Sequence, residues 1–520
     1  MPDVEFVVAP PHALAERPRL FEAIGRLCET RFVPASTARS GSSVAGRIEF
    51  GESLQEAQTG SVPTLVLLDA PAAPGDVFLQ NAGEVPRPFW GRTISDSALR
   101  VLPPESAGRS QSVLARSTTG HPVWTQLAPS HFAAPAPSEL GEDEALRSRL
   151  RPGRFSDVLP LLAFVGQHAK TDWTAPQASA SFIIDDPNLH AMRYGFVHFR
   201  HLAQDAEENG YHVSFATIPL DLWWASQKAV RLFCESSHLL SLLVHGNDHV
   251  FRELDRTQSD RERAEFLAEA LRRVDRFERR YGVPIARVMA PPHGACSHET
   301  AVGLLRAGFE ALCISRTHPW LDAPPAGDVL AGSRPVHLVD DEFPLLLRYH
   351  IRQDRDELAF RAFLGQPLIV YGHHDDLAKG PAILAETAAY IDDLGPVRWS
   401  SLDRIARSRF CSRHDGTCLV VRPQTRLVEV AISPTVDAIS IDLPSDGPHG
   451  AVVVSTGCES FSGPGPHPVA GGTVTISVRH PSSAGVPAAD GSRRFAPWPV
   501  VRRALTETRD RLAPIYSSRP

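Results

Sequence analysis

The chain has 520 residues, 42% apolar and 22% charged, with 53 basic against 60 acidic side chains for a net charge of −7. At roughly 150 residues per domain this length predicts about three domains, and the composition excludes a disordered or fibrous chain. The acidic balance predicts neither a nucleic-acid partner nor an anionic-membrane anchor.

The basic residues are almost all Arg, with Lys only at 170, 228 and 379, a skew that fits a coding bias better than a function. The first ten residues, Met-Pro-Asp-Val-Glu-Phe-Val-Val-Ala-Pro, carry no basic segment and no apolar stretch of signal-peptide length. No run reaches the 18 or so apolar residues of a membrane span. Seven cysteines are too scattered for a disulfide scaffold, so the expectation is a soluble, cytoplasmic protein. Cys411 and Cys418 bracket a turn and either pair or remain two free thiols.

Residues 1–150 read as an α/β domain. Glu5–Ala9 is a short apolar strand, and Leu14, Leu20, Ile24 and Leu27 then recur at helical steps. Thr64–Leu68 and His121–Thr125 are further strand candidates, and Ala133–Glu144 reads as a linker. From about 178 to 408 short apolar runs alternate with helical stretches such as Arg261–Arg280. The runs are Ser181–Ile184, Val213–Ile218, Leu239–Val244, Ala286–Ala290, Ala311–Ser315 and Leu368–Tyr371. Six such alternations predict a parallel (β/α) barrel or a doubly wound sheet, with chemistry at the C-terminal ends of the strands. Residues 409–482 are β-branched runs between Pro, Gly and Asp turns, which predicts a β-sandwich. The tail, 483–520, holds one short amphipathic helix near Val500–Leu512.

Four strand ends carry polar clusters. Ile184 leads into Asp185-Asp186-Pro187-Asn188, where adjacent carboxylates face different ways, so that one can bind a cation while the other takes a proton; equally, they can cap a helix and make a turn. Val244 leads into His245-Gly246-Asn247-Asp248-His249, a His-x-x-x-His spacing that suits zinc but also arises by chance among 22 histidines. Ala290 leads into Pro291-Pro292-His293-Gly294, a rigid loop with or without a pocket behind it. Tyr371-Gly372 leads into His373-His374-Asp375-Asp376, either site residues or a helix cap with surface histidines. Together they supply the parts of a metal hydrolase: an Asp–His–His ligand set, a base and an acid.

In the order and spacing of these motifs, over about 180–408, the chain resembles the polysaccharide deacetylases, carbohydrate esterase family 4. The resemblance implies a distorted (β/α) barrel, flanked here by the N-terminal α/β domain and the C-terminal β-sandwich. It implies Asp185 as catalytic base, and Asp186, His245 and His249 as ligands of a divalent metal, zinc first. Pro291, Pro292 and His293 would line the substrate, and His373 or His374 would be the general acid. His373 is favoured because bulky Tyr371 stands two places before it, although the family's His-Asp pair aligns better with His374-Asp375. Val397–Leu402 resembles the last strand and helix start of that barrel. Two departures touch the acid–base machinery: Pro187 follows the Asp pair where the family has Gly, and Ala290 stands where it has the Arg that holds the base. A counterpart of the fourth motif is found only if Ser315–Trp320 serves.

The expected activity is metal-dependent hydrolysis of an N-acyl, chiefly N-acetyl, group on an amino sugar or related small metabolite. A degenerate barrel serving as a carbohydrate-binding or assembly module is the alternative, as is a hydrolase of a non-sugar amide. The oligomeric state is not legible.

Overall fold

A computed structural model describes residues 4–37, 44–52, 54, 61–103, 110–169, 171–443, 451–457, 459–479 and 497–517. The tail between 480 and 496 therefore lies outside the described residues. The chain divides into two compact units, the first built from 1–171 with 323–334 and 354–364, the second from the remainder.

The first unit is a nine-stranded mixed sheet. Arg31–Pro34, Glu5–Ala9, Gly46–Gly51, Thr64–Leu68 and His131–Pro135 run parallel to their neighbours, and four antiparallel strands extend the sheet. Thr64–Leu68 is buried at every position, as a continuous apolar run predicts. The expected linker is corrected at its start. Ala133–Pro135 belong to a strand hydrogen-bonded along Val66–Leu68, because small buried residues fit a covered sheet even where their composition suggests a loop. The helix Asp356–Phe363, from within the barrel sequence, also belongs to this unit. Its Phe360 packs edge-on against Phe89 and Phe155, with ring centroids 4.9 and 5.4 Å away.

The second unit contains a closed barrel of seven parallel strands: β1 (Ser179–Asp185), β2 (Val213–Thr217), β3 (Leu240–Val244), β4 (Ile285–Met289), β5 (Ala311–Ile314), β6 (Phe343–His350) and β7 (Leu368–Gly372). Each pairs in parallel with the next, and β7 and β2 both pair with β1, which closes the ring. Six strands fall where the apolar runs predict them. The seventh, β6, is absent from that prediction, since Pro344 at its second position and Arg348 near its end interrupt the apolar signal. Ile183, Ala216, Leu243, Val288, Cys313, Leu346 and Ile369 point inward and fill the barrel. Leu402, Ile405 and Ala406 of the short helix Leu402–Arg407 join the same core.

Two four-stranded sheets follow and enclose Val421, Val428, Val430, Ile439, Val454, Val474 and Ile476. The sandwich is not purely antiparallel, because Cys418–Val421 runs parallel to Ala438–Ile441. Cys411 and Cys418 form no disulfide. Their strands pair Cys411 with Arg422 and Cys418 with Asp415, an offset of roughly 13 Å along the ladder, beyond disulfide reach.

The amphipathic segment of the tail is longer than expected, a helix from Pro497 to Ser517. Arg503 and Asp510 are buried, whereas Trp498, Val501, Leu505, Leu512 and Ile515 are exposed. Among the described residues no helix is long and apolar enough to cross a membrane.

Candidate metal centre

Side chains two residues apart on a strand share a face. Asp185, His245, Arg348 and Tyr371 each lie two places beyond an inward residue of the barrel core (Ile183, Leu243, Leu346 and Ile369) and so form the polar layer above it. Asp186, at the turn after β1, takes a φ of +82°, and its amide donates to Ala216 O at 3.1 Å. His249 and His293 also have positive φ, 54° and 59°. Non-glycine residues held in this region tend to mark functional loops whose strain the surroundings impose.

One ligand atom each from Asp186, His245 and His249 lies within 4.8 Å of the other two. The Nε2 atoms of His249 and His245 stand 3.0 and 3.6 Å from Asp186 Oδ1. Tetrahedral zinc ligands are separated by about 3.4 Å, given bond lengths near 2.1 Å, so the donor set fits a small divalent ion. Asp186 Oδ1 is buried and lacks a well-aligned hydrogen bond, as an oxygen reserved for a cation would be. Nδ1–H of His245 donates to Ala290 O at 2.7 Å, which leaves Nε2 to face the ligand set. Burial pushes the His245 imidazole down to about 4, keeping it neutral. Burial alone would raise the Asp186 carboxyl, but His249, His245 and Arg503 outweigh it and hold it well below the usual carboxylate range.

The loop carrying His249 is built around a residue the motifs do not reveal. Glu253, 3% exposed, accepts from the amides of Asn247 (2.7 Å), Asp248 (3.1 Å) and Val250 (3.0 Å). A Cβ on Gly246, at φ +65°, would stand 1.9 Å from Glu253 Oε1, so only glycine fits there. Arg273, on the helix Asp260–Tyr281, binds the side chains of Asn247 and Asp248 at 2.7 and 2.8 Å. The polar residues between the two histidines thus scaffold the loop.

Asp185, 2% exposed, is paired through Oδ1 with Nη1 of Arg348 at 3.0 Å. The Arg348 guanidinium lies 4.1 Å over the Tyr371 ring. With Ala290 unable to reach Asp185 by a charge, the arginine paired with that carboxylate comes from β6, a strand the apolar runs do not predict. A buried Arg in an otherwise apolar run, Phe343-Pro-Leu-Leu-Leu-Arg348, is the signal that could have found it.

Pro291 and Pro292 are buried, and Pro292 abuts Gly246. The exposed His293 ring packs between His249 and Phe251, centroids 5.1 and 5.3 Å away. His373 and His374 part company. His373 continues the inward face of Ile369 and Tyr371 and lies with His350 and Asp376, one ligand atom of each within 4.8 Å. That second group is already engaged: Asp376 binds Arg352 and accepts from the His373 amide at 2.8 Å. His374, 9% exposed, turns the other way, between the rings of Tyr194 and Phe196, with Nε2 3.7 Å from Asp510 of the C-terminal helix. Ser315–Trp320 brings no residue into either group.

No family model matches the sequence, and no curated protein does. Solved structures similar to the barrel segment include a family 4 carbohydrate esterase from Streptomyces lividans in complex with acetate, 11% identical over 42% of this chain and 88% of its own, with a TM-score of 0.26. The peptidoglycan deacetylase of Bacillus subtilis is 10% identical over 45% of this chain and 91% of its own, TM-score 0.26. A family 4 pseudoenzyme from Bacillus anthracis is 11% identical over 46% and 68%, TM-score 0.28.

Proposed function

We propose that the barrel is a metal-dependent amide hydrolase that removes an N-acyl group, N-acetyl first, from an amino sugar or related small metabolite. The observation that carries this reading is the convergence of Asp186, His245 and His249 beside a buried carboxylate, Asp185, anchored by Arg348. Asp186, His245 and His249 would hold the ion, which when bound supplies Lewis-acid polarisation of an acyl carbonyl and eases deprotonation of water. Asp185 accepts the proton of the attacking water, its free oxygen directed by the Arg348 contact on the other. His373, on the inward face of its strand end, donates a proton to the departing amine, a role worth roughly 10²–10⁴-fold in rate. Pro291 and Pro292 fix the wall that carries His293 beside His249.

The test is metal analysis of the purified protein together with acetate release from a panel of N-acetylated sugars. Wild type and Asp185→Asn should each bind one equivalent of divalent metal, and His245→Ala should bind none. Acetate release should be abolished in both variants. A wild-type protein that binds no metal would sink the reading; metal binding without turnover on any acylated sugar would point to a binding module instead.

A further inference from the structure

The C-terminal helix, Pro497–Ser517, lies across the strand ends that carry the candidate metal site. Arg502 binds the main-chain oxygen of His249, and Nη2 of Arg503 donates to the main-chain oxygen of Asp186 at 2.9 Å. Two consecutive arginines thus grip two of the three proposed ligand residues by their backbones. Further along, Arg503 Nε meets Asp221 at 2.8 Å, Glu507 meets His190 at 3.1 Å, and Tyr194 donates to Asp510 at 2.8 Å. Arg511 reaches Asn188 at 2.9 Å and the main chain of Arg193. These contacts touch the loops after β1, β2, β3 and β7. Beneath the helix Asp185 and His245 are each 2% exposed, and the side chains of Asp186 and His249 keep only 19% and 11%.

The seat has an unusual character. A helix packed permanently on a domain turns its apolar stripe inward; this one buries Arg503 and Asp510 and turns Trp498, Val501, Leu505, Leu512 and Ile515 to solvent. Ionic and hydrogen-bonded contacts are exchanged for water when such a surface opens, so the net hold of each is small. Nη1 of Arg503 is buried without a partner, so the closed position even leaves one donor unmet.

We infer that the C-terminal helix is a lid: the closed form is the resting state, and the helix lifts from its polar seat to admit substrate to the metal site. The inference rests on the proposed metal centre, with an assay that separates the two. Full-length protein is loaded with zinc, and the rate at which excess chromogenic chelator strips the metal is measured for wild type and for Glu507→Ala/Arg511→Ala, which loosens the seat away from the ligands. Release should be about tenfold faster or more in the variant, the effect on opening of losing one or two polar contacts, with the equilibrium affinity for zinc unchanged. Hydrogen–deuterium exchange of the amides at 245–250 and 497–517 should accelerate in parallel. If the double variant fails to fold, Arg511→Ala alone serves, with a smaller change in the same direction. Unchanged release and exchange rates would overturn the lid, as would faster release accompanied by an equal loss of affinity, which would make the helix part of the ligand scaffold. A protein that binds no zinc would refute the metal centre alone, and the exchange rates would still decide the lid.

Discussion

Glu253→Gln tests whether the loop that presents His249 is held in a ligating shape from behind. The side chain is nearly isosteric, so the change removes one acceptor without opening a cavity. In the wild-type structure Oε2 accepts from Asp248 and Val250, while Oε1 accepts from Asn247. The glutamine amide places its oxygen where two donors wait, which turns its NH2 toward the Asn247 amide. One hydrogen bond is lost, and two buried donors face each other in its place, at a cost of about 1–3 kcal/mol. His249 sits at φ +54° in this pinned loop, a conformation a non-glycine residue leaves when released, so relaxation of the loop moves its imidazole out of the ligand set. If the whole cost falls on the ligating conformation, zinc affinity drops roughly 5- to 150-fold, in line with the tenfold to hundredfold typical of groups that orient metal ligands. Equilibrium competition against a chromogenic chelator measures this directly. Gly246→Ala should produce a loss at least as large by pushing Glu253 Oε1 out of place. A Glu253→Gln protein that binds zinc within twofold of wild type would refute the reasoning.

Arg348→Met leaves Asp185 buried without its counter-charge and should cost about 3–5 kcal/mol of stability, read from urea midpoints at constant slope. Adding Asp185→Asn should recover most of that loss, and a single variant within 1 kcal/mol or so of wild type would show the pair to be dispensable. His212, bonded to His238 O and Ser241 Oγ at 2.9 Å each, is pushed down to about 4 by burial. Since the unfolded imidazole takes up its proton near 6.5, the unfolded chain binds more protons between those values, and stability must fall as pH drops from about 6.5 to 4. The loss amounts to roughly 3 kcal/mol, and His212→Gln should flatten that part of the denaturation profile; an unchanged slope would place the titration elsewhere.

The barrel strands were legible because parallel strands covered on both faces are mainly apolar, and six short runs such as Leu368–Tyr371 come close to that rule. The convergence of Asp186, His245 and His249 was legible for a related reason: polar side chains immediately after such runs stand at the rim of the barrel whatever the chain does next. What escaped was everything that holds them. Glu253 reads as one more acid in a loop, and its burial follows only from the fold of 246–250 around it. Arg348 hides the strand it belongs to, because a charged residue in an apolar run weakens the strand signal while a buried carboxylate 163 residues away justifies it. The boundaries escaped likewise, since 354–364 packs with the N-terminal unit through Phe360, a contact that composition does not carry.

The histidine pair shows how far strand geometry reaches. Alternation along β7 puts Ile369, Tyr371 and His373 on the barrel side and turns His374 outward. That alone separates the two without reference to any related protein. Yet the outward histidine is not idle, since it meets Asp510, and Asp510 comes from a helix that begins 90 residues beyond the end of the barrel's last helix at Leu402–Arg407. A carboxylate that distant in sequence has no motif and no spacing to announce it. Both polar partners, Arg348 for Asp185 and Asp510 for His374, arrive on elements whose sequence reads as something else. The residues at the rim of the barrel are set by local strand geometry, while those that hold them can be drawn from any part of the chain the fold brings near.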